Sequence, residues 1–170
     1  ETHPYTQALK GKEGLKGMRI AVVKEGYMQA NAEEDVNIKV KAATSVLRSL
    51  GATVEEVSIP MHLVGPSLWT PIGVEGSTQT MMHGDGYGLS RSDLYVTSLM
   101  DFHRNWRTRA NELSETMKIV TMLGTYIRKY YGSRYYGKAM NQTRLLTAAY
   151  DKVLNEYDLL VMPTTAIKSQ

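Results

Sequence analysis

Residues 18–24 read Met18-Arg-Ile-Ala-Val-Val-Lys24, a short and mostly apolar run that is typical of a buried β-strand. A second run of strand character, Thr53-Val-Glu-Glu-Val-Ser-Ile59, is stopped by Pro60. Between the two runs, apolar residues recur at helical spacing, namely Val36, Val40, Ala43, Leu47 and Leu50. A strand, a helix and a strand in this order predict a βαβ unit, in which the two strands are parallel and the crossover is right-handed.

The ends of the predicted helix carry their own signals. Asn31 is followed three residues later by Glu34, which is the spacing of a capping box at a helix start. Gly51 comes directly after the last apolar position of the helix, where a residue in the left-handed conformation commonly ends a helix. We therefore expect the helix to begin and end at these two signals.

The chain is predicted to be mainly helical beyond this unit, until a last strand. Residues 61–83 mix apolar residues with prolines and glycines, which predicts a helix with an irregular start, and Gly84-Asp-Gly-Tyr-Gly88 predicts a loop. Three helical segments follow, each identified by apolar residues at helical spacing. The first runs from Ser92 onward and carries Leu94, Met100 and Phe102. The second, at 113–131, carries Met117, Val120, Leu123 and Ile127, and the third, at about 134–157, carries Leu145, Ala149, Val153 and Leu154. Asp158-Leu-Leu-Val-Met-Pro163 then predicts a third buried strand.

These segments predict one partial α/β domain over residues 1–170. Its parts are a connector at 1–17, the βαβ unit at 18–59, a mainly helical segment at 60–157, and a final strand and loop at 158–170. Three strands of the parallel type leave sheet edges that another element must cover. We therefore expect the sequence to be a portion of a larger α/β protein.

Composition narrows the class of protein. The 170 residues carry 20 Lys+Arg and 17 Asp+Glu, a formal net charge of +3, which does not require a polyanionic partner. There is no cysteine, so a disulfide framework, a thiolate nucleophile and a cysteine-ligated metal are excluded. No apolar run is long enough to span a membrane, and the first residues do not resemble a signal peptide. These features predict a cytoplasmic protein that does not bind membranes.

Two groups of residues superficially suggest binding sites. A phosphate-binding loop follows a strand and leads into a helix. The glycines at 84, 86 and 88 follow a predicted helix instead, so a flexible loop is the better interpretation. The histidines 62, 83 and 103 and Asp85 lack the spacing of metal ligands, so we predict no metal site. No motif indicates a cofactor.

Residues 126–138 interleave five tyrosines with four basic residues. Aromatic side chains beside cations can hold single-stranded nucleic acid. The tyrosines are also spaced to pack along helices with their hydroxyl groups at the surface, and the net charge is small. We therefore predict no nucleic-acid partner.

No catalytic motif is present in the sequence. A Gly-x-Ser-x-Gly elbow, a Ser-x-x-Lys pair, a Walker loop and a His-Glu-x-x-His helix are all missing. The acidic clusters at 33–35 and 55–56 are expected on exposed surfaces, where the first stabilises a helix N-terminus. Residue spacing alone identifies no active site.

The order of several segments resembles the amidase signature hydrolases. The resemblance rests on Gly14-Leu-Lys-Gly-Met-Arg-Ile-Ala-Val-Val-Lys-Glu-Gly26 and on Ala42-x-x-x-Val-Leu-x-x-Leu-Gly-Ala-Thr-Val-Glu-Glu-Val-Ser-Ile-Pro60. It continues with Gly73-Val-Glu-Gly76, with Arg134-Tyr-Tyr-Gly-Lys-Ala139 and Arg144, and with Tyr157-Asp-Leu-Leu-Val-Met-Pro-Thr-Thr165. It covers nearly the whole chain and corresponds to the half of these enzymes that follows their catalytic signature. The Lys-Glu-Gly-Tyr stretch and the His-Gly-Asp-Gly-Tyr-Gly loop are most similar to carboxamide amidases of nitrile pathways.

The resemblance implies a mixed-sheet α/β fold and cleavage of amides by a Ser–cis-Ser–Lys triad. The Gly/Ser-rich segment that carries the triad does not occur here, because the sequence has no adjacent Ser-Ser or Gly-Gly pair. No catalytic residue is therefore assigned. The resemblance implies that this part of the enzyme contributes walls of the acyl pocket, the pocket that holds the acyl group of the amide substrate. The candidate wall residues are Trp69 and Ile72, which precede Gly73-Val-Glu-Gly76, and Thr165 and Ile167, which follow the last strand. For Trp69 and Ile72, a place in a helical core is an equally good interpretation.

Three functional hypotheses follow. The first is a portion of an amidase that converts a small carboxamide to a carboxylate and ammonia, inactive as this segment alone, with a homodimer as its candidate assembly. The second is an amidotransferase-like subunit with partner subunits. The third, from a different class, is a non-catalytic binding or scaffold module that retains half of the amidase fold.

Overall fold

The computed structural model describes residues 14–88 and 94–168. Most of the predicted connector, residues 1–13, and the predicted helix start at Ser92 lie outside this part. The chain forms two compact units. The sheet unit comprises the described residues up to Leu63 and from Leu146 onward, and the helical unit comprises Val64–Leu145.

A three-stranded parallel sheet organises the sheet unit. Strand β1 is Arg19–Val23, β2 is Thr53–Val57 and β3 is Leu159–Val161, in the spatial order β2-β1-β3. Ile20 of β1 lies opposite Val54 on one side and Leu159 on the other, and both pairings are parallel. The predicted α/β class and the parallel βαβ unit are confirmed.

Helices cover both faces of this sheet. Helix α1, Glu34–Ser49, connects β1 to β2, and its Leu47 packs on a cluster formed by Ile20, Val22, Ala52 and Val54. On the opposite face, Ala21 and Val23 are fully buried, and Val57 shares a cleft with Ala149 of a later helix. Each fully buried valine or isoleucine contributes about 1.5–3 kcal/mol to stability.

The face that α1 turns inward differs from the predicted stripe. Its most buried residues are the polar Asn37 and Thr44, whereas Ala43 and Leu50 are exposed. The Thr44 hydroxyl is satisfied within the helix, because it donates to the Lys41 carbonyl at 2.7 Å. The buried line runs through positions 37, 40, 44 and 47, about one residue away from the apolar repeat.

The two ends of α1 give opposite outcomes for the sequence predictions. The predicted capping box is wrong, since the helix is preceded by Glu33 and has no side-chain cap, and the Glu33 amide donates instead to the Ala166 carbonyl at 2.9 Å. The predicted glycine end is confirmed. Gly51 has φ +98° and donates to Arg48, and Ala52 donates to Leu47, the paired bonds of a Schellman motif.

The helical unit follows the predicted order. A 3-10 turn at Pro60–Val64 leads into α2, Gly65–Gly76, which continues as a π-helix over Ser77–His83. After the loop at 84–88 come α3 at Thr97–His103, 3-10 turns at Arg104–Arg107 and Ala110–Glu112, α4 at Glu115–Tyr131, and α5 at Arg134–Leu154. Residues 146–154 of α5 belong to the sheet unit.

Two close contacts hold the helical unit together. Thr78 is fully buried and its hydroxyl donates to the Val120 carbonyl of α4 at 3.1 Å, beside Gly124. The buried Glu75 carboxylate accepts from the Tyr136 amide at 3.0 Å, in the first turn of α5, where it satisfies an N–H that has no partner within the helix.

Side chains from the α3 region cap the end of the π-helix. The Trp106 indole donates to the Met82 carbonyl at 3.0 Å, and Arg107 donates to the His83 carbonyl at 3.1 Å and pairs with Asp85 at 2.6 Å. These contacts satisfy carbonyl groups that a helix end leaves without partners. In residues 14–88 and 94–168, no helix has the length and apolar character needed to cross a bilayer.

Candidate functional site

The carboxyl edge of the sheet brings together the segments that leave β1, β2 and β3. Ligands of open parallel sheets bind at this edge, because the connecting loops converge there and leave crevices between them. After β1 comes the 3-10 turn Lys24–Tyr27, after β2 come Ser58 and Ile59, and after β3 comes the loop at 162–168. The residues of these three segments define the candidate site.

Glu25 is the central residue of this edge, with only 5% of its surface exposed. Its carboxylate accepts from the Ser58 hydroxyl at 2.5 Å and from the Ile59 amide at 2.8 Å. Burial is the largest single influence and opposes ionisation, but the hydrogen bonds from Ser58, Ile59 and the Glu25 backbone amide, with the charge of Lys24, together outweigh it, so the pKa of Glu25 lies below its ordinary value. Glu25 is therefore a buried anion that ties the exit of β1 to the exit of β2.

The next residue, Gly26, sets the approach of β3. A Cβ atom at position 26 would lie 2.6 Å from the Met162 Cβ, closer than two carbon atoms can pack. The glycine thus allows the chain after β1 to touch the chain after β3. The start of the loop at 162–168 therefore lies directly against the turn after β1.

That loop carries two of the predicted pocket residues, Thr165 and Ile167. The Thr165 hydroxyl donates to the Ile167 carbonyl at 2.8 Å, and Ile167 is 38% exposed. The loop is tied to the start of α1, where Lys168 pairs with Glu33 at 3.0 Å and with Asp35 at 2.7 Å. Both predicted residues therefore lie at the carboxyl edge, and their contact with an acyl group stays a prediction.

A histidine and a tyrosine extend the polar groups of the sheet unit. The His62 Nδ1 and the Tyr150 hydroxyl are 2.6 Å apart, and the two rings are tilted by 60°. Burial raises the pKa of Tyr150, and the negative charge of Glu25 raises it further. Sequence reasoning did not identify this pair, because 88 residues separate its members and no spacing signal connects them.

The other two predicted pocket residues belong to the helical unit. Trp69 is 68% exposed on α2, with its ring next to Gly73, and Ile72 is half-buried. A buried core position for Trp69 does not agree with this exposure. Whether Trp69 and Ile72 contact an acyl group stays a prediction.

The described residues do not assemble a catalytic serine. In residues 14–88 and 94–168, no serine hydroxyl is hydrogen bonded to a lysine or histidine side chain, and no three His, Asp or Glu residues form a group that could hold a metal ion. What this edge offers is a buried anion, hydrogen-bond donors and an exposed apolar side chain. Such groups can position a ligand, whereas a nucleophile must come from elsewhere.

A parallel sheet with helices packed on it defines an α/β protein. The amidase family model matches residues 2–170. The chain belongs to the amidase family.

Two kinds of curated relative are similar to this chain. An enantioselective amidase of Rhodococcus rhodochrous is 40% identical over 149 residues, which are 87% of this chain and 29% of the relative. A glutamyl-tRNA(Gln) amidotransferase subunit of Lysinibacillus sphaericus is 36% identical over 168 residues, 97% of this chain and 33% of the relative. The chain thus spans about a third of the length of these relatives.

Solved structures show the same fold. A bacterial aryl acylamidase of the amidase signature family superposes with a TM-score of 0.58 at 16% identity, over 99% of this chain and 32% of that one. The corresponding glutamyl-tRNA(Gln) amidotransferase subunit of Thermotoga maritima gives a TM-score of 0.51 at 24% identity, over 94% of this chain and 29% of that one. The predicted amidase signature fold is confirmed.

Proposed function

We propose that this chain is a portion of an amidase that hydrolyses a linear carboxamide to a carboxylate and ammonia. The observation that carries the proposal is the 40% identity with an enantioselective amidase over 87% of the chain. The serine nucleophile, the bridging serine and the lysine base are supplied by sequence outside these 170 residues. The nucleophile forms an acyl-enzyme as ammonia leaves, and water then releases the carboxylate.

The role of this segment is to shape the acyl pocket. Thr165 and Ile167 lie at the carboxyl edge of the sheet, on a loop that Gly26 and Lys168 hold in place. Trp69 and Ile72 are proposed for the same role from the sequence resemblance alone, and they lie on α2 of the helical unit. Apolar walls with a few polar groups are usual for pockets that bind the organic part of a small substrate.

Exposed apolar side chains on α4 support the proposal that this is a portion of a larger enzyme. Ile119, Met122 and Tyr126 are all more than half exposed along one helix. Contiguous exposed apolar surface usually marks an interface. In the proposed enzyme, the remaining part of the chain packs on this surface.

The second candidate function is that of an amidotransferase subunit. The observation that favours it is the match to a glutamyl-tRNA(Gln) amidotransferase subunit over 97% of the chain at 36% identity. Such a protein would release ammonia from glutamine and pass it on within an assembly. Substrate choice and the need for partner subunits separate the two candidates.

A chimera tests the amidase proposal. We would replace the matching third of the Rhodococcus rhodochrous amidase with this chain, and confirm a folded product by circular dichroism. We expect release of ammonia from benzamide and aliphatic carboxamides without any partner protein. A folded chimera that releases no ammonia from any carboxamide would contradict the proposal, and release from glutamine alone would favour the amidotransferase role.

The same chimera tests the pocket wall. Trp69→Ala removes an exposed aromatic surface, so we expect the KM for benzamide to rise about tenfold while that for acetamide is unchanged. Tyr87→Ala is the matched control, because Tyr87 is similarly exposed, at 73%, and is not among the predicted pocket residues. Equal KM changes in the two variants, or none in Trp69→Ala, would remove Trp69 from the pocket.

A further inference from the structure

The Trp69 side chain rests on the next turn of its own helix, α2. If residue 73 had a Cβ atom, that atom would lie 3.0 Å from the Trp69 Cζ2 and 3.2 Å from its Cε2 and Cη2. Carbon atoms in contact are ordinarily about 3.5–4.0 Å apart, so the ring lies this close because Gly73 has no side chain. Trp69 is nevertheless 68% exposed, which leaves most of the indole accessible.

The contact between Trp69 and Gly73 crosses a break in the hydrogen bonds of α2. Pro71 lies inside the helix and has no N–H group, so it cannot donate to the Ser67 carbonyl, and a helix can bend at such a position. Backbone hydrogen bonds therefore hold the turn that carries Trp69 less firmly on the turn that follows. The ring spans the two sides of Pro71 and supplies a contact there.

The turn that carries Gly73 is fixed within the helical unit. The two residues after it, Val74 and Glu75, are 6% and 3% exposed. The Glu75 carboxylate also accepts from the Tyr136 amide at the start of α5. A ring that rests on Gly73 is thus oriented by a buried part of the fold. Gly73 therefore sets the direction in which the exposed side of the indole faces.

We propose that Gly73 is a positioning residue, which holds the Trp69 ring in the orientation that receives an aromatic acyl group of the carboxamide substrate. The inference rests on the proposed function, in which Trp69 is a wall of the acyl pocket. Aromatic rings pair in offset or edge-to-face arrangements with centroids about 4.5–7 Å apart, so the contact depends on how each ring is turned. An aliphatic acyl group makes no such contact. The substrates that this device selects are aromatic carboxamides.

Fluorine NMR of the intact protein that contains this chain tests the positioning. The protein is labelled with 5-fluorotryptophan, and the resonance that disappears in Trp69→Phe belongs to Trp69. We expect Gly73→Ala to shift this resonance, and Gly73→Leu, whose larger side chain takes the place of the ring, to shift it further. Gly76→Ala is the matched control, because a Cβ atom at position 76 of the same helix meets nothing within 4 Å, and it should leave the resonance unchanged.

Kinetic measurements on the same variants test the choice of acyl group. We expect Gly73→Leu to raise the KM for benzamide about three- to tenfold, which is the size of an aromatic contact, with no comparable rise for acetamide. In the Trp69→Ala background, Gly73→Leu should cause no further rise, because a positioning residue acts through the ring that it positions. Gly73→Ala should act in the same direction by a smaller factor, and it replaces Gly73→Leu if that variant does not fold.

Three results would overturn the proposal. The first is a Trp69 resonance that does not move in Gly73→Ala, or that moves as much in Gly76→Ala. The second is an equal rise in the KM for benzamide and for acetamide, and the third is a full rise in the Trp69→Ala background. If the resonance shifts as expected and the intact protein hydrolyses no carboxamide, the proposed function fails, and with it the selection of aromatic substrates, whereas the positioning of Trp69 by Gly73 is confirmed.

Discussion

Replacing Gly124 with alanine is expected to destabilise the helical unit by about 3 kcal/mol or more. A Cβ atom at position 124 would lie 2.1 Å from the Thr78 hydroxyl oxygen, 2.6 Å from the Thr78 Cβ and 2.9 Å from the Val74 carbonyl oxygen. Thr78 is fully buried and bonded to α4, so it cannot move away without losing its hydrogen bond to Val120. Urea denaturation of the intact protein, with hydrogen exchange to locate the loss of protection in α2 and α4, measures the effect.

Two further variants make this test specific. Gly137→Ala is the control, because a Cβ at position 137 meets nothing within 4 Å, and in a helix interior alanine should stabilise by about 0.5–1 kcal/mol. Thr78→Gly in the Gly124→Ala background removes the two shortest contacts and leaves the one with Val74, so a partial rescue is expected. Normal stability of Gly124→Ala alone would mean that the two helices are not in close contact at this glycine.

Most of the correct predictions of the fold came from local sequence patterns. The apolar runs at 18–24 and 53–59 with the helix between them were sufficient for a parallel βαβ unit, because chain connectivity leaves few alternatives. Gly51 ended α1 as predicted, since the left-handed conformation is a property of that residue itself. These features depend on residues that are near one another in the sequence.

The predictions failed where contacts between distant segments decide the outcome. The start of α1 was predicted at Asn31, but the Glu33 amide bonds to Ala166 and the helix begins after it. The inward face of α1 was predicted from apolar residues, whereas Asn37 and Thr44 are the most buried. Likewise, Gly124 is the only buried residue of α4 in the described structure, and an apolar pattern does not include glycine.

The two buried carboxylates, one in each unit, show the same limit. Glutamates 25 and 75 each precede a glycine, in Lys-Glu-Gly and Val-Glu-Gly, and each accepts a backbone amide of a distant segment. The paired acids at 55–56 were predicted to be exposed and are exposed. The sequence thus revealed the motifs that contain Glu25 and Glu75, but their roles depend on Ile59 and Tyr136, which only the folded chain brings close.

Loss of the Glu25 carboxylate is the second change for which a large effect is expected. Glu25→Ala leaves the Ile59 amide buried without its acceptor, so we expect a loss of about 3 kcal/mol in the sheet unit, measured by urea denaturation at pH 7. Released contacts at 58–62 should also weaken hydrogen-exchange protection in β2. Glu34→Ala is the matched control, because Glu34 lies at the start of α1 and makes no side-chain contact of this kind among the described residues.

The dependence of stability on pH distinguishes the contribution of the Glu25 charge to the free energy of unfolding from the contribution of its shape. Since folding lowers the pKa of Glu25, the stability that its ionisation contributes is fully present above the ordinary glutamate pKa, and it is lost as the pH falls through the lower pKa of the folded state. Glu25→Gln keeps the shape and one acceptor but cannot ionise, so its free energy of unfolding should fall less steeply than that of the unsubstituted protein below the ordinary pKa. The two curves should therefore converge in acid. Parallel curves across this range would show that Glu25 does not stabilise the fold through its charge, and that its hydrogen bonds to Ser58 and Ile59 act as neutral contacts.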